Sequence, residues 1–391
     1  MNKLASIEIN REALVDDLVN MVGIPSVNPF GAADQSHSAE AGMADYLEAR
    51  LRALGFEVGS KEVLPDRRNV WGVLKGQGDG PCILLAGHLD TVGVDGYVGP
   101  FTAKVEDGKV FGRGSCDMKA GLAAYLEVAR LLIQTGTLLS GDLIIAGVID
   151  EEHAMIGSKD FGLTGPAADF AIVAEPTQLA ICPAHKGQIL TTLKTHGVAA
   201  HSSMPDKGVN AIYHMSSVLQ GLQSYAHDLS QCTPDPKCGA PSFSVGVIRG
   251  GDNACSVPDF CEIDIDRRTI PGEQHDKVIG EISATVMKIQ SQLLDFSFEL
   301  KQPFLNLPPL ATEDGSQIVQ AIKTACEDVK GRGDIQAFPG STDAPNFNCP
   351  TVICGPGNLE QCHSLNEYVA IDEIEDAVRI YVKTILAMQA P

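Results

Sequence analysis

The stretch CILLAGHLDT, at residues 82–91, decides the fold that this sequence predicts, because an apolar run of strand length is followed at once by a histidine and an aspartate. Three later apolar runs, at 143–149, 170–174 and 351–354, are also followed by acidic residues or by a histidine. In open α/β sheets, ligands bind in the crevice outside the carboxyl ends of the strands. We therefore expect the polar side chains that follow these four runs to meet at one edge of a sheet.

Helical patterns lie between these runs. Apolar side chains recur at helical spacing in residues 43–54 and again in residues 118–126, just after the loop GRGSCD. Strands that alternate with helices indicate an α/β fold, in which helices cover the faces of a sheet.

The middle of the chain has a different pattern. Cys261, Ile263 and Ile265 alternate with acidic residues, as in a strand with one face in water, and residues 278–289 form an amphipathic helical pattern. A chain of 391 residues is too long for one compact core, so two domains are expected. We predict one domain at 1–184 and 300–391, interrupted by a small α+β domain at 185–299.

Composition narrows the possible partners and the compartment. The formal net charge of −21 argues against nucleic acid or an anionic membrane as the main partner, since both require basic patches. We expect no signal peptide, because residues 1–19 show no apolar h-region and no small-residue cleavage site, and no membrane-spanning segment, because no apolar run approaches about 18 residues. The eleven cysteines contain no C-x-x-C pair, which favours free thiols and a cytoplasmic location.

The α/β part offers five nitrogen or oxygen donors and no thiolate among its candidate ligands: His88, Asp117, Glu152, Glu175 and His363. Such a set suits zinc, cobalt or manganese and excludes an iron–sulfur centre. Five ligands are too many for one open catalytic zinc, but they suffice for two ions if Asp117 bridges them. A pair of such ions can hold a water and lower its pKa toward about 7.

Two further acidic residues lie close in sequence to candidate ligands but are not ligands themselves in this scheme. Asp90, two residues after His88, is placed to accept the second imidazole N–H and to fix the tautomer of that ring. Glu151 stands next to a ligand but on the opposite side of the chain, so we expect it to act as the general base that moves a proton from water to the leaving nitrogen.

Each of these residues also has a simpler interpretation. Asp117 precedes an apolar helical run and would make a good N-cap. His88 would be a hydrogen-bonded core histidine, and Glu151 and Glu152 a solvated pair after a strand. The coincidence of all of them at strand ends favours the metal site.

Six segments, taken in order, resemble the acetylornithine deacetylase / succinyl-diaminopimelate desuccinylase family of metallohydrolases: GHLDTV, GRGSCDMKAG, DEEH, AEPT, AHSS-x-P-x-KGVNAI and CHSLNEY. The resemblance covers nearly the whole chain. It implies a zinc-exopeptidase-like catalytic domain with a mixed sheet flanked by helices. It also implies that the inserted domain is a ferredoxin-like lid that forms a homodimer.

The resemblance assigns the ligands more closely. Asp117 would bridge two divalent metal ions, with Zn²⁺ expected and Co²⁺ or Mn²⁺ as substitutes. His88 and Glu175 would complete one metal site, and Glu152 and His363 the other.

Further roles follow from the same resemblance. His201, in AAHSSMP, would reach the active site of a neighbouring subunit and polarise the scissile carbonyl; the alternative is a structural hydrogen bond in the turn before Pro205. Arg268 would meet a substrate carboxylate; the alternative is a surface ion pair with nearby acids. Ser341 and Thr342 belong to a loop that, in the family, lies near the substrate.

The implied activity is that of an amidohydrolase that uses water to remove the acyl group from a small N-acyl amino acid. The acetylornithine deacetylases are the nearest subgroup, because EPTQLAICPAHKG (175–187) and HSSMPDKGVNAI (201–212) look like their segments, although Cys255 stands where many relatives carry asparagine. We therefore expect deacetylation of N2-acetylornithine, a step of arginine biosynthesis. A succinyl-diaminopimelate desuccinylase, or a general aminoacylase or carboxypeptidase, is the alternative.

Two interpretations from other classes stay open at this point. A non-enzymatic metal-bound module on the same scaffold would be expected to lack a ligand or the base. A cysteine hydrolase would use Cys116 or Cys362, the two thiols that flank presumed ligands.

Overall fold

The structure is a computed structural model that describes residues 8–30 and 40–389. Its helices are α1 (Arg11–Val22), α2 (Glu40–Ala53), α3 (Lys119–Gln134), α4 (Ile156–Thr164), α5 (Ala211–Ser230), α6 (His275–Gln290), α7 (Gln317–Lys330) and α8 (Ile371–Gln389). Its strands are β1 (Glu57–Leu64), β2 (Arg67–Leu74), β3 (Ile83–His88), β4 (Lys104–Glu106), β5 (Lys109–Phe111), β6 (Leu143–Val148), β7 (Phe170–Pro176), β8 (Ile181–His185), β9 (Gly187–His196), β10 (Ala200–His201), β11 (Ser242–Gly250), β12 (Ser256–Val257), β13 (Phe260–Thr269), β14 (Ser297–Leu300), β15 (Leu305–Leu307), β16 (Leu310–Ala311), β17 (Ile335–Phe338), β18 (Thr351–Gly355) and β19 (Tyr368–Ala370).

The chain divides into two compact units. The first consists of Met1–Pro183, Thr312–Phe338 and Thr342–Pro391, and the second of Ala184–Ala311 with Pro339–Ser341. The domain boundaries expected from the sequence lie at 184/185 and 299/300. Strand β15 pairs with β9, which explains why the chain after residue 299 stays with the second unit as far as Ala311.

A mixed sheet forms the centre of the first unit, with the strand order β1-β2-β6-β3-β7-β18-β8. Strand β3 runs parallel to β6 and β7, and β18 runs parallel to β7, whereas β1, β2 and β6 pair antiparallel. Every residue of β3 and β6 is buried, as expected for parallel strands that helices cover on both faces. The predicted fold class, a mixed α/β sheet flanked by helices, is confirmed.

Helix α3 is the central helix of this unit. Its residues Lys119–Leu132 are all buried, and it packs against α1 and α8. A helix that is buried on all sides lies inside a core, and the charged side chains of α3 at Lys119, Glu127 and Arg130 are buried with it. This burial fixes the start of α3, and therefore the loop that carries Asp117, against the sheet.

The second unit is a small α+β structure. Its antiparallel sheet has the order β11-β13-β9-β14, and α5 and α6 pack against each other. Cys261, Ile263 and Ile265 point into its core, together with Val278 and Ile282 of α6, so both sequence patterns predicted their elements correctly.

Within residues 8–30 and 40–389, none of the helices is both long enough and apolar enough to cross a bilayer.

Candidate active site

Four strand ends of the first unit carry the predicted polar side chains. His88 is the last residue of β3, and Glu175 is the penultimate residue of β7. Glu152 lies four residues after the end of β6, and His363 follows β18 through a short 3₁₀ turn at Leu359–Gln361. Since β3, β6, β7 and β18 are parallel neighbours, their carboxyl ends lie at one edge of the sheet.

Two of these side chains form a first triad with Asp117. The donor atoms of His88, Asp117 and Glu175 all lie within 4.8 Å of one another. The His88 Nε2 atom is 3.0 Å from Asp117 Oδ1 and 3.8 Å from Glu175 Oε1. All three side chains are buried or nearly so.

A second triad shares Asp117 with the first. The donor atoms of Asp117, Glu152 and His363 also lie within 4.8 Å of one another. The His363 Nε2 atom is 3.4 Å from Asp117 Oδ2 and 3.3 Å from Glu152 Oε2. Asp117 thus turns one oxygen toward each histidine, which is the arrangement that a bridging carboxylate requires.

The position of Asp117 depends on a residue that the sequence analysis did not single out. Asp117 does not cap α3, because the N-cap residue is Met118 and it makes no side-chain capping bond. The backbone N–H groups of Cys116 and Asp117 instead donate to Glu367 Oε1, at 2.9 and 3.1 Å. Arg113 donates to the other oxygen of Glu367 at 2.6 Å. Glu367 lies in CHSLNEY, one of the segments on which the family resemblance rests, and this was the available signal.

Asp90 organises the turn that carries the two adjacent glutamates. Its carboxylate accepts the backbone N–H groups of Glu151 and Glu152, at 3.2 and 3.1 Å, and the side-chain amide of Asn28 at 2.7 Å. The His88 Nδ1 atom is 3.0 Å from the backbone carbonyl of Asp90 and 3.6 Å from its carboxylate. The ring of His88 is therefore held by the backbone carbonyl of Asp90, and the carboxylate of Asp90 lies beyond hydrogen-bond distance of the ring.

A buried arginine, Arg67, stabilises the same turn by donating a hydrogen bond to Asp150. Arg67 is 2% exposed and donates to Asp150 at 2.8 Å and to both carboxylate oxygens of Glu40. Asn28 also donates to Asp150, at 3.1 Å, so Asp150 and Asp90 share one amide. None of these partners is close to Arg67 in sequence, and no pattern in the sequence pointed to the network.

Replacing Arg67 with methionine is expected to lower the free energy of unfolding by about 3–5 kcal/mol. The reason is that Glu40 and Asp150 would lose the buried cation that binds both of them, so each must then bear an uncompensated charge or bind a proton. Urea unfolding followed by circular dichroism measures this difference. The matched control is Arg52→Met, whose exposed pair with Glu48 should contribute less than about 1 kcal/mol. A loss of stability as small as that of the control would contradict the role given to Arg67.

The pKa values of the two histidines show how strongly negative the site is. Burial by itself would lower the pKa of His88, but Glu175 and Asp117 raise it well above the ordinary value. Hydrogen bonds to Asp117 and Glu152 raise the pKa of His363 to about 10. Without metal, both rings would therefore hold an extra proton at neutral pH, and an entering metal ion must displace these protons.

Burial and the neighbouring charges also shift the pKa values of the acidic residues of the site. Burial raises the pKa of Glu152 to about 6 and the pKa of Glu175 well above its ordinary value. Burial also raises the pKa of Glu151 well above the ordinary value. The pKa of Asp117 is lowered despite burial, because His363 and His88 hydrogen-bond to it.

The donor set fits a pair of divalent cations. Glu152 Oε1 and Glu175 Oε1 are buried and have no hydrogen-bond partner among residues 8–30 and 40–389. A buried carboxylate oxygen without a partner is costly unless a cation binds it. The two triads contain only nitrogen and oxygen donors, in keeping with zinc, cobalt or manganese.

The remaining predicted site residues lie elsewhere. His201 is exposed in the second unit, and its Nδ1 atom is 2.8 Å from Ser203 Oγ. Arg268, in the same unit, forms an ion pair with Asp266 at 3.0 Å. Ser341 Oγ donates to the Lys186 carbonyl at 3.2 Å within the second unit.

The loop that contains Ser341 continues into the first unit. There Thr342 is buried and accepts the backbone N–H of Ala344 at 3.2 Å. The next residue, Asp343, is 1% exposed, and burial raises its pKa to about 7.

The comparisons with known proteins identify the family to which the chain belongs. A sheet that gathers paired histidines and carboxylates at its strand ends, with an α+β unit inserted in the chain, defines a metal-dependent amidohydrolase. The sequence profile of peptidase family M20/M25/M40 matches residues 84–387. This chain belongs to peptidase family M20/M25/M40, and the resemblance found in its motifs is confirmed at the level of the family.

Curated relatives cover most of the chain. The acetylornithine deacetylase of Vibrio vulnificus (strain CMCP6) is 30% identical over 370 residues, which is 92% of this chain and 95% of that protein. The acetylornithine deacetylase of Erwinia tasmaniensis (strain DSM 17950 / CFBP 7177 / CIP 109463 / NCPPB 4357 / Et1/99) is 33% identical over 362 residues, with 89% of this chain and 91% of that protein covered.

Solved structures show the same fold. The aminopeptidase PepT from Bacillus cereus ATCC 10987 has a TM-score of 0.78 and 21% identity, and the match covers 97% of this chain and 99% of that one. The YXEP protein of Bacillus subtilis, described as a dinuclear metal binding peptidase from the M20 family, has a TM-score of 0.71 and 17% identity, with 97% of this chain and 98% of that one covered.

Proposed function

We propose that this enzyme removes the acetyl group from N2-acetylornithine and releases ornithine and acetate, a step of arginine biosynthesis. The observation that carries the proposal is the likeness to relatives named acetylornithine deacetylase, at 30–33% identity over about nine tenths of the chain. The complete donor set in the first unit supports catalysis rather than a purely binding role. A thiol mechanism is not supported, because Cys116 and Cys362 contact each other and the Asn358 carbonyl rather than a histidine.

Two divalent ions, with zinc as the proposed native metal and cobalt or manganese as substitutes, would be held by the two triads. His88 and Glu175 would hold one ion, Glu152 and His363 the other, and Asp117 would bind both. When bound, the ions would supply Lewis-acid chemistry and lower the pKa of a water toward about 7.

Glu151 is the proposed general base. Its carboxylate forms no hydrogen bond or salt bridge with the rest of the described chain, and burial raises its pKa well above the ordinary value for glutamate. A carboxylate with a raised pKa accepts a proton from the attacking water and returns it to the leaving nitrogen more readily than an ordinary one. Asp90 holds the backbone of Glu151 in place for this transfer.

The second unit is proposed to supply substrate contacts. His201 would polarise the scissile carbonyl by donating a hydrogen bond to the developing oxyanion. The ring of His201 is exposed and its contact with Ser203 uses the Nδ1 atom, so the Nε2 atom is the one that would make such a contact. Arg268 would leave its ion pair with Asp266 and bind the substrate carboxylate instead. Ser341 and Thr342 would belong to a loop that lies beside the substrate.

We further propose that the second unit acts as a lid and joins two chains into a homodimer. Strand β11 lies at one end of its sheet, and most of its residues are exposed. Tyr213 of α5 and Ile248 of β11 are 73% and 54% exposed, which leaves an apolar surface that a second copy would cover. Sedimentation equilibrium should give twice the chain mass of 41.4 kDa, and a stable single-chain mass would contradict the dimer.

A cytoplasmic location is part of the same proposal. All eleven cysteines are free in the structure, as expected for a protein that functions in a reducing compartment.

A turnover panel with the metal-reconstituted protein tests the substrate. It should compare N2-acetylornithine, acetylcitrulline, acetylmethionine, succinyl-diaminopimelate and a dipeptide. We expect kcat/KM for N2-acetylornithine to exceed that for each other compound by about tenfold or more, the usual worth of one well-placed group. A clear preference for the succinyl compound or the dipeptide would instead identify a desuccinylase or a peptidase.

A further inference from the structure

Two cysteines lie against each other beside the proposed metal site. The Sγ atoms of Cys116 and Cys362 are 4.0 Å apart, although the two residues are 246 positions apart in sequence. Both thiols point at the carbonyl of Asn358, at 3.5 and 3.9 Å. Each cysteine directly precedes a proposed ligand, Asp117 in one case and His363 in the other.

The two sulfurs differ in how firmly they are held. Cys116 is fully buried, and its backbone N–H donates to Glu367 at 2.9 Å. The backbone of Gly357 packs so closely on Cys116 that a Cβ atom at this glycine would lie 2.5 Å from the Cys116 sulfur. Cys362 is only partly buried, and it follows a short 3₁₀ turn rather than a long helix. It is therefore the sulfur that a solvent-borne reagent reaches first.

We propose that Cys116 and Cys362 are an oxidation site, at which a low-molecular-weight disulfide forms an intramolecular bond that disables the metal position of His363. This inference rests on the proposed metal site, since it concerns the regulation of that site. The two sulfur atoms are 4.0 Å apart, so they must move about 2 Å closer to each other to reach the usual S–S bond length.

The reaction takes place in two balanced steps. The Cys362 sulfur, after losing its proton, attacks oxidised glutathione, which forms a mixed disulfide and expels one glutathione thiolate. The Cys116 sulfur then loses its proton and attacks the Cys362 sulfur, so the protein disulfide forms and the second glutathione leaves. The two protons lost by the cysteines balance those gained by the two glutathione thiolates. The protein is oxidised by two electrons and the glutathione disulfide is reduced by two.

The expected damage falls mainly on one metal position. His363 is covalently joined to Cys362, and its backbone is in the left-handed region, with φ of +61°, a conformation that depends on its neighbours. The Nε2 atom of His363 is 3.3–3.4 Å from the oxygens of Asp117 and Glu152. If the loop moves by about 1 Å, half of the distance by which the two sulfurs must approach, the ring can no longer bind a metal ion at this position. Cys116, held by Glu367, is expected to move less, and the triad of His88, Asp117 and Glu175 should persist.

The test exposes the metal-loaded full-length protein to oxidised glutathione. Non-reducing peptide mapping by mass spectrometry measures the bond between Cys116 and Cys362, and atomic emission measures bound zinc after gel filtration. We expect the cross-link to form, bound zinc to fall from about two to about one per chain, and dithiothreitol followed by zinc to restore the original content.

Two variants and a control complete the test. Cys362→Ser should keep its zinc content during the same treatment, and Cys116→Ala should stop at the mixed disulfide on Cys362 without an intramolecular bond. The urea midpoint of each variant shows that it is folded. Cys232→Ser removes an exposed cysteine far from the pair in sequence, and it should respond like the wild type. Absence of the cross-link, or a cross-link formed with unchanged zinc content, would overturn the inference. Neither the cross-link nor the zinc content is measured with a substrate. This test can therefore succeed or fail whatever substrate the turnover panel identifies.

Discussion

Replacing Glu151 with glutamine is expected to lower kcat by about 10²- to 10⁴-fold while the protein keeps its metal ions, since this is the usual contribution of a general base. The glutamine has nearly the same shape but cannot accept the proton of the attacking water. Glu151 is not a member of either triad, so its loss leaves all five donors in place. Steady-state kinetics on N2-acetylornithine, with metal content measured on the same samples, shows both effects.

The matched control for this change is Glu313→Gln, at an exposed position of the first unit. It should match the wild type in kcat and in metal content. Full activity of Glu151→Gln would remove this residue from the mechanism. A parallel loss of metal and activity would make Glu151 a ligand rather than a base.

The second large effect is expected at Asp117. Asp117→Asn should weaken the binding of both metal ions by more than about 100-fold, because the loss of an outer partner of a ligand alone costs about 10- to 100-fold. The reason is that Asp117 Oδ1 faces His88 and Oδ2 faces His363, so one substitution disturbs both triads. Titration of the metal-free protein with zinc, followed by calorimetry, measures the two affinities.

Two comparisons make this prediction specific. His363→Ala affects only the second triad, so it should weaken one binding step and leave the other. Asp95→Asn, at an exposed position of the same unit, should leave both steps unchanged. If Asp117→Asn also lost only one step, Asp117 would not be the bridging residue.

The sequence predicted the parts of this site that lie at strand ends. His88, Glu152, Glu175 and His363 follow apolar runs that form neighbouring parallel strands, and the geometry of such a sheet brings their side chains together. Asp117 was ambiguous, because an acid before a helix is also a good cap. The structure separates the two interpretations, since the N-cap position of α3 is occupied by Met118.

The contacts that hold the site in place could not be predicted from the sequence. Arg67 reaches Glu40 and Asp150 across 27 and 83 positions, and Glu367 reaches Cys116 across 251. Such pairs leave no periodic signal, because only the tertiary fold brings them together. The antiparallel strands β1 and β2 were also not predicted, because most residues of β1 are only half-buried and the apolar run that marks the central strands is absent there.

The family explains the shared chemistry, whereas the roles of individual residues depend on the geometry of the first unit. Both triads, the turn held by Asp90 and the loop held by Glu367 belong to that unit, so metal binding can be measured without reference to the second unit.

The most direct measurement is a crystal structure of the zinc-loaded protein with anomalous scattering recorded at the zinc edge. We predict two anomalous peaks about 3.5–4 Å apart, the separation usual for paired metals, with Asp117 contacting both. His88 and Glu175 should contact one peak, and Glu152 and His363 the other. A single peak, or two peaks that do not share Asp117, would contradict the two-metal site on which the proposed function depends.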